Sequence, residues 1–274
     1  FNHDPRRNSR KTKFSKTVTQ MSEKRVVITA GAAGIGLVIA KNYLAEGAKV
    51  AICDIDPNAI QTFKKTYPNS LAVCANVTNE KEMDDFFSAC DEFLDGVDVV
   101  IAGAGIGGPA ALIENLKYSD WKDTIATTLD GTFLLVRWAA KHMRKNKSGL
   151  IILLSSSAGL FGYPYRSPYA VAKWGIIGLT KTLAMEMGND GIRVNCICPG
   201  AVEGDRMDRV VQNEAKVRGV DEQKVRDDYV SAVSLKTWVT ADDIANMIHF
   251  LDSPSGIKIS GQALAVDGHT EAIT

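Results

Sequence analysis

Seven short apolar runs punctuate the chain, and most of the longer stretches between them repeat their apolar positions every three or four residues. The runs are Arg25–Thr29, Lys49–Cys53, Ser70–Ala75, Val97–Ile101, Ile151–Leu154, Ile192–Cys198 and Ala263–Val266. Near-continuous apolar runs bounded by turn residues predict strands covered on both faces, as in a parallel sheet. Helical periodicity is expected after Gly36 through Glu46, from about Ser119 to Lys145, and from Tyr169 onward. A further helix is predicted to start at Thr240, where Thr-Ala-Asp-Asp places an acid three residues after a capping hydroxyl, and to run to Leu251. Strands alternating with helices predict α/β layering in one domain, with no repeats or low-complexity tracts.

Composition narrows the function classes. Of 274 residues, 45% are hydrophobic and 23% charged, which is ordinary for a globular chain. Lys+Arg and Asp+Glu are both 32, so overall charge does not argue for nucleic acid as a partner. No apolar run approaches the roughly 18 residues of a membrane span. The five cysteines include no Cys-x-x-Cys pair, and Cys196 and Cys198 alternate along a predicted strand, which reads as packing. No metal site is expected, and a reducing, cytoplasmic setting fits. Residues 1–20 differ from the rest, with six basic residues against one acid. They read as a disordered leader or one added for expression, ahead of a single folded domain over 21–274.

The chemistry concentrates after the fifth run, in SSSAGLFGYPYRSPYAVAK from Ser155 to Lys173. Tyr169 and Lys173 are four apart, on one helical face. Ser156, thirteen residues before Tyr169, lies where the strand delivers its last side chains. Moving a phenol from its ordinary value of about 10 to about 7 takes roughly 4 kcal/mol of differential stabilisation. A neighbouring ammonium in a dry site supplies much of it, and a serine hydroxyl steadies an oxygen on which charge develops. Tyr118 and Lys122 repeat the spacing, but Gly105 stands thirteen residues before Tyr118 and no strand leads in, so that pair reads as surface.

A second motif follows the first strand. Thr29-Ala30-Gly31-Ala32-Ala33-Gly34-Ile35-Gly36 joins strand to helix, and its small residues let backbone amides approach a pyrophosphate. Asp54, eighteen residues past Gly36, ends the second strand at the separation of a ribose-binding acid. Its carboxylate favours NAD(H) over a cofactor with a 2′-phosphate.

Together these motifs make residues 24–268 resemble the short-chain dehydrogenase/reductase family, with Ala30 replacing the first glycine of its turn. An alanine is tolerated there if its φ is negative. The resemblance implies a single doubly wound Rossmann-fold domain with a mostly parallel seven-stranded sheet, and a catalytic set of Ser156, Tyr169, Lys173 and Thr128. It implies cofactor contacts from Thr29, Gly31, Gly34, Ile35, Gly36, Asp54, Ile55, Asn76, Val77, Ala102, Gly103, Ala104, Tyr169, Lys173, Pro199, Gly200 and Val202. Asn76 stands where the family has an adenine-contacting Asp, and keeps one acceptor and one donor. Ala102 and Gly103 replace two asparagines, which implies lost bracing of the central sheet. Thr128 replaces the asparagine that holds a relay water, which implies a slower proton path.

The charged stretch 203–236 matches the family's substrate lid. There Arg206 is a candidate for an anionic or polyhydroxy substrate, as is Arg209, against the alternative of a solvated helix face. Trp138 and His142 read as packing on an interface helix. The resemblance further implies a homotetramer, built on the helix of Tyr169 and the one around Thr128. The reaction expected is interconversion of a small polar secondary alcohol and its ketone. The rivals are an NADPH-dependent carbonyl reductase and a catalytically weak sensor or scaffold.

Overall fold

A computed structural model describes residues 23–271. The leader predicted at residues 1–20 lies outside them. The seven strands are β1 (Arg25–Thr29), β2 (Lys49–Asp54), β3 (Leu71–Cys74), β4 (Val99–Ala102), β5 (Gly149–Leu154), β6 (Ile192–Pro199) and β7 (Ala263–Val266). They form one sheet in the order β3-β2-β1-β4-β5-β6-β7. All six pairings are parallel, so the sheet is wholly rather than mostly parallel. Parallel neighbours need crossovers, and helices supply them.

Strand alternation divides the core between the two faces. Val26, Ile28, Ile52, Ile101 and Ile152 pack under α1 (Gly34–Ala45), α2 (Pro57–Thr66) and, later in the chain, α9 (Ala241–Asp252). Val27, Cys53, Val100, Ile151, Cys196 and Cys198 pack under α3 (Glu80–Leu94), α5 (Gly131–Asn146) and α6 (Ser167–Met187). Both predicted packing cysteines are fully buried. The α9 helix carries the predicted capping box between Thr240 and Asp243.

The stretch expected to be one long helix is three segments. Helix α4 (Tyr118–Ile125) passes into a π-helical turn over Ala126–Asp130 and then into α5. The stretch expected to form a lid, 203–236, holds two helices, α7 (Asp205–Arg218) and α8 (Glu222–Ser231), packed on each other through Val211, Ala215 and Val225. Trp138 stacks on Phe87 with ring centroids 5.0 Å apart, and Trp138 and His142 both reach Asp91. Their partner is therefore α3 of the same chain. Tyr118 is exposed, with Lys122 over its ring. No helix among the described residues is long and apolar enough to cross a membrane.

The chain order reverses between β1 and β4. In open parallel sheets, ligands bind outside the carboxyl ends of the strands at such a switch point.

Candidate active site

At the end of β1 the backbone turns through Ala30, whose φ is +54°. The negative φ expected for this alanine is not adopted, because the turn keeps the left-handed shape that a glycine would take freely. Gly36 is obligatory for a different reason: a Cβ there would come 2.1 Å from the Ala30 carbonyl oxygen. The close approach seats the start of α1 against the turn. Ala33 caps α1 without a side-chain hydrogen bond, and the first turn holds no acid. Its free amides and positive dipole end suit a pyrophosphate.

The rest of the cradle follows from the strand ends. The Asp54 carboxylate accepts hydrogen bonds from the Ala32 amide at 3.1 Å and the Asp56 amide at 3.2 Å, which ties the end of β2 to the turn. Ile55 beside it is exposed, an apolar surface where a flat ring can lie. Asn76 retains less than its side chain promises. Its Oδ1 accepts from both the amide and hydroxyl of Thr78, so the Nδ2 donor is what it has to offer a base. Val77 is buried against Gly131, leaving its backbone for contact. The buried Thr29 hydroxyl accepts from the amides of Gly103 and Ala104 at 3.1 and 3.4 Å. That pair of bonds ties β1 to the loop after β4, where loss of side-chain bracing was expected at Ala102 and Gly103. Beyond β6, the Gly200 amide donates to Val266. Val202 bridges to Val239 through the Ala201 carbonyl and the Glu203 amide, which leaves the N–H and C=O of Val202 outside that pairing.

The catalytic candidates meet where β5 hands over to α6. Ser156 is extended, and its hydroxyl oxygen accepts from the Ala158 amide at 3.2 Å, so its own proton is available to donate. Ser155 donates to the Lys173 carbonyl at 2.8 Å and pins α6 to the strand end. Lys173 is 3% exposed, and its Nζ donates to the Leu154 carbonyl at 2.6 Å. The same Nζ lies 5.6 Å from the centre of the half-buried Tyr169 ring. Burial alone pushes the Tyr169 phenol up. Lys173, Arg206, the Ser156 hydroxyl and Arg166 together outweigh it and hold the phenol below its ordinary value. Burial likewise holds the Lys173 ammonium below its ordinary value, while Tyr169 works the other way.

Thr128 sits within the π turn, fully buried, and its Oγ1 has no hydrogen-bond partner among the described residues. Gly105 explains the neighbourhood. A Cβ on Gly105 would lie 3.3 Å from Thr128 Oγ1 and 3.4 Å from Lys173 Nζ. The glycine that disqualified the Tyr118 pair thus lines the niche of the other pair. The π turn brings Thr128 to that niche, and such turns recur at functional sites.

Sequence reasoning also missed Arg166 and Tyr163. Arg166, one turn before Tyr169, is 3% exposed and donates through Nη1 to the Gly108 carbonyl at 3.0 Å. Tyr163 packs edge-on to Tyr169, with centroids 6.3 Å apart, and its hydroxyl meets that of Tyr229 on the lid. Tyr229 in turn donates to the buried Glu214 at 2.8 Å. Burial raises the Tyr163 phenol to about 12, so it stays a neutral hydrogen-bonding group. The available clue to Arg166 was helical phase, three residues before a candidate base. The tyrosine pair is 66 residues apart and left no local signal.

A wholly parallel sheet, a phosphate-accepting turn at its switch point and a Ser/Tyr/Lys set beside it define a dinucleotide-linked oxidoreductase. The comparisons agree. The family model described as "Enoyl-(Acyl carrier protein) reductase" matches residues 30–269. D-beta-hydroxybutyrate dehydrogenase of Rhizobium meliloti (strain 1021) is 30% identical over 252 residues, which cover 89% of this chain and 97% of that protein. Levodione reductase of Leifsonia aquatica is 29% identical over 268 residues, 95% of this chain and 99% of its own. A solved actinorhodin polyketide ketoreductase with NADPH superposes with a TM-score of 0.85 at 28% identity, covering 90% of this chain and 96% of that one. The chain belongs to the short-chain dehydrogenase/reductase family, whose members named here act on CH–OH or ketone groups.

Proposed function

We propose that this chain is an NAD(H)-dependent oxidoreductase that interconverts a secondary alcohol and a ketone on a small polar substrate, with Tyr169 as general acid/base. The observation that carries the reading is the Tyr169 phenol, held below its ordinary value beside Lys173 and the Ser156 hydroxyl. In oxidation, the Tyr169 phenolate takes the substrate hydroxyl proton while Ser156 donates to the same oxygen. In reduction, Tyr169 returns the proton and Ser156 stabilises the oxygen as negative charge grows on it. Lys173 keeps the phenolate accessible through its charge, and it would also hold the nicotinamide ribose. A bound nicotinamide supplies the acceptor or donor of hydride.

The remaining residues divide between the two ends of the cofactor. The α1 turn at Gly31, Gly34, Ile35 and Gly36 would hold the pyrophosphate. Asp54 would accept from the adenosine ribose hydroxyls and repel a 2′-phosphate. The backbone of Val202 would meet the carboxamide. We place the enzyme in the cytoplasm as a homotetramer.

Tyr169→Phe tests the reading. Turnover of a cognate alcohol should fall at least about a hundredfold, the low end for acid–base catalysis, with cofactor affinity little changed. The pH profile is a second test. Oxidative kcat/KM should rise with pH through a midpoint below the value of about 10 for free tyrosine, and reductive kcat/KM should fall through it. Because Arg206 helps lower the phenol, Arg206→Gln should move that midpoint upward. Near-normal turnover by Tyr169→Phe would sink the mechanism.

A further inference from the structure

Arg166 is a buried cation whose polar atoms are only partly used. Its Nη1 donates to the carbonyls of Gly108 and Gly107, at 3.0 and 3.4 Å. Nε and Nη2 are buried and have no hydrogen-bond partner among the described residues. These two nitrogens form the side-on edge of the guanidinium, the edge that grips an oxyanion with two parallel hydrogen bonds. Leaving such a charge-bearing edge dry and unpaired is costly in a fold that needs Arg166 only as a loop brace. One neutral donor would serve the Gly108 carbonyl.

The surroundings extend the same chemistry. Arg166 lines a cavity of about 500 Å³, together with Gly105, Arg206, Arg209 and Asn213. Gly105 connects this cavity to the Thr128 and Lys173 niche. Arg206 hangs over the Tyr169 ring, with Cζ 5.9 Å from its centre. Among the described residues, three acids of the same stretch are committed to other arginines. Asp208 pairs with Arg226, and Glu214 and Asp228 pair with Arg218. Asp120 and Asp123 also line the cavity, and among the ion pairs of the described residues neither is joined to Arg166, Arg206 or Arg209. Three guanidinium groups thus face two carboxylates beside the catalytic phenol.

We propose that this cavity is built for a substrate carrying an oxyanion, a carboxylate, sulfonate or phosphate group. Arg166 grips that group, and Arg206 and Arg209 cover it from the lid. The inference rests on the oxidoreductase reading and narrows its substrate class to small anionic hydroxy or oxo compounds.

The test compares pairs of ketones that differ in the charged group. Reduction of acetoacetate is measured against methyl acetoacetate, and of dihydroxyacetone phosphate against dihydroxyacetone, on the full chain with NADH. At least one anion should exceed its neutral partner at least about tenfold in kcat/KM, the scale of a charge-assisted hydrogen bond. Arg166→Lys, which keeps the charge and loses the fork, should erase most of that ratio by raising KM for the anion far more than for its neutral partner, while any change passed through the Tyr169 phenol falls on both partners and cancels in the ratio. Arg206→Gln, on an exposed lid position, should do the same and keeps the test available if the buried variant does not fold. Neutral partners turned over as well as the anions in every pair would overturn the inference and leave the oxidoreductase reading standing. If no ketone is reduced, calorimetric titration of the NADH-loaded protein with acetoacetate and dihydroxyacetone phosphate separates the two claims. Saturable binding weakened by Arg206→Gln supports the anion site while counting against the reaction, and no binding of either anion ends the inference.

Discussion

A phenol is a poor base at neutral pH, and the role proposed for Tyr169 depends on the company it keeps. Burial works against its ionisation, and the cations of Lys173, Arg206 and Arg166 reverse the outcome. Single residues also account for departures from the family pattern. Ala30 holds a left-handed φ of +54°, which costs a residue with a Cβ about 1 kcal/mol or more relative to glycine. Ala30→Gly should therefore raise stability by about 1 kcal/mol, less whatever the unfolded chain gains in freedom. Denaturant melts decide this, and an unchanged or lower midpoint would count against strain at this turn. At Asp54, NAD(H) should bind at least about tenfold more tightly than NADP(H), roughly 1.4 kcal/mol. Asp54→Ala should erode that preference in fluorescence titrations of both cofactors. Equal affinities in the unaltered protein would end the cofactor assignment.

Elements decide where these residues meet. The π turn over Ala126–Asp130 presents Thr128 to a niche that Gly105 leaves open beside Lys173. The Thr128 hydroxyl is short, and no hydrogen bond joins it to Lys173, whose Nζ is given to Leu154. An asparagine would add an amide donor and acceptor to the niche. Thr128→Asn should raise turnover several-fold, about 1 kcal/mol of barrier, without altering NAD affinity. Steady-state kinetics with a solvent isotope effect measures it, and a silent substitution would mean that the proton leaves by another route. The lid is held to the active-site loop by a second device, the chain of hydroxyls from Tyr163 through Tyr229 to Glu214. Arg218 pairs with both Glu214 of α7 and Asp228 of α8, so ion pairs join the two helices to each other.

At the scale of the whole molecule, the switch point between β1 and β4 collects residues from every part of the chain, from Thr29 to Val202, along one edge of the sheet. The outer faces of α5 and α6 leave Phe133, Val171 and Trp174 exposed, Trp174 by 51%. Exposed apolar side chains of that size fit burial between copies of the chain. Light scattering should give a mass near four times 29.6 kDa, and Trp174→Glu should reduce it. A monomer at micromolar concentration would remove the tetramer from the proposal.

Sequence by itself determined the strands, the α/β layering and the pairing of Ser156 with Tyr169 and Lys173. Each depends on short-range periodicity, which the order of residues carries directly. The boundaries moved by a residue or two, because helix and strand ends are set by caps and neighbours. Tertiary structure alone decided that Ala30 would bear a positive φ and that the Thr29 hydroxyl would brace the loop at Gly103 and Ala104. It turned Gly105 from a reason to dismiss one tyrosine into the wall of another's site, and it left two nitrogens of Arg166 unpaired beside the lid. Those facts depend on contacts between residues far apart in the chain. Such contacts exist only once the sheet has been assembled, since no local pattern encodes which distant backbone a side chain will meet.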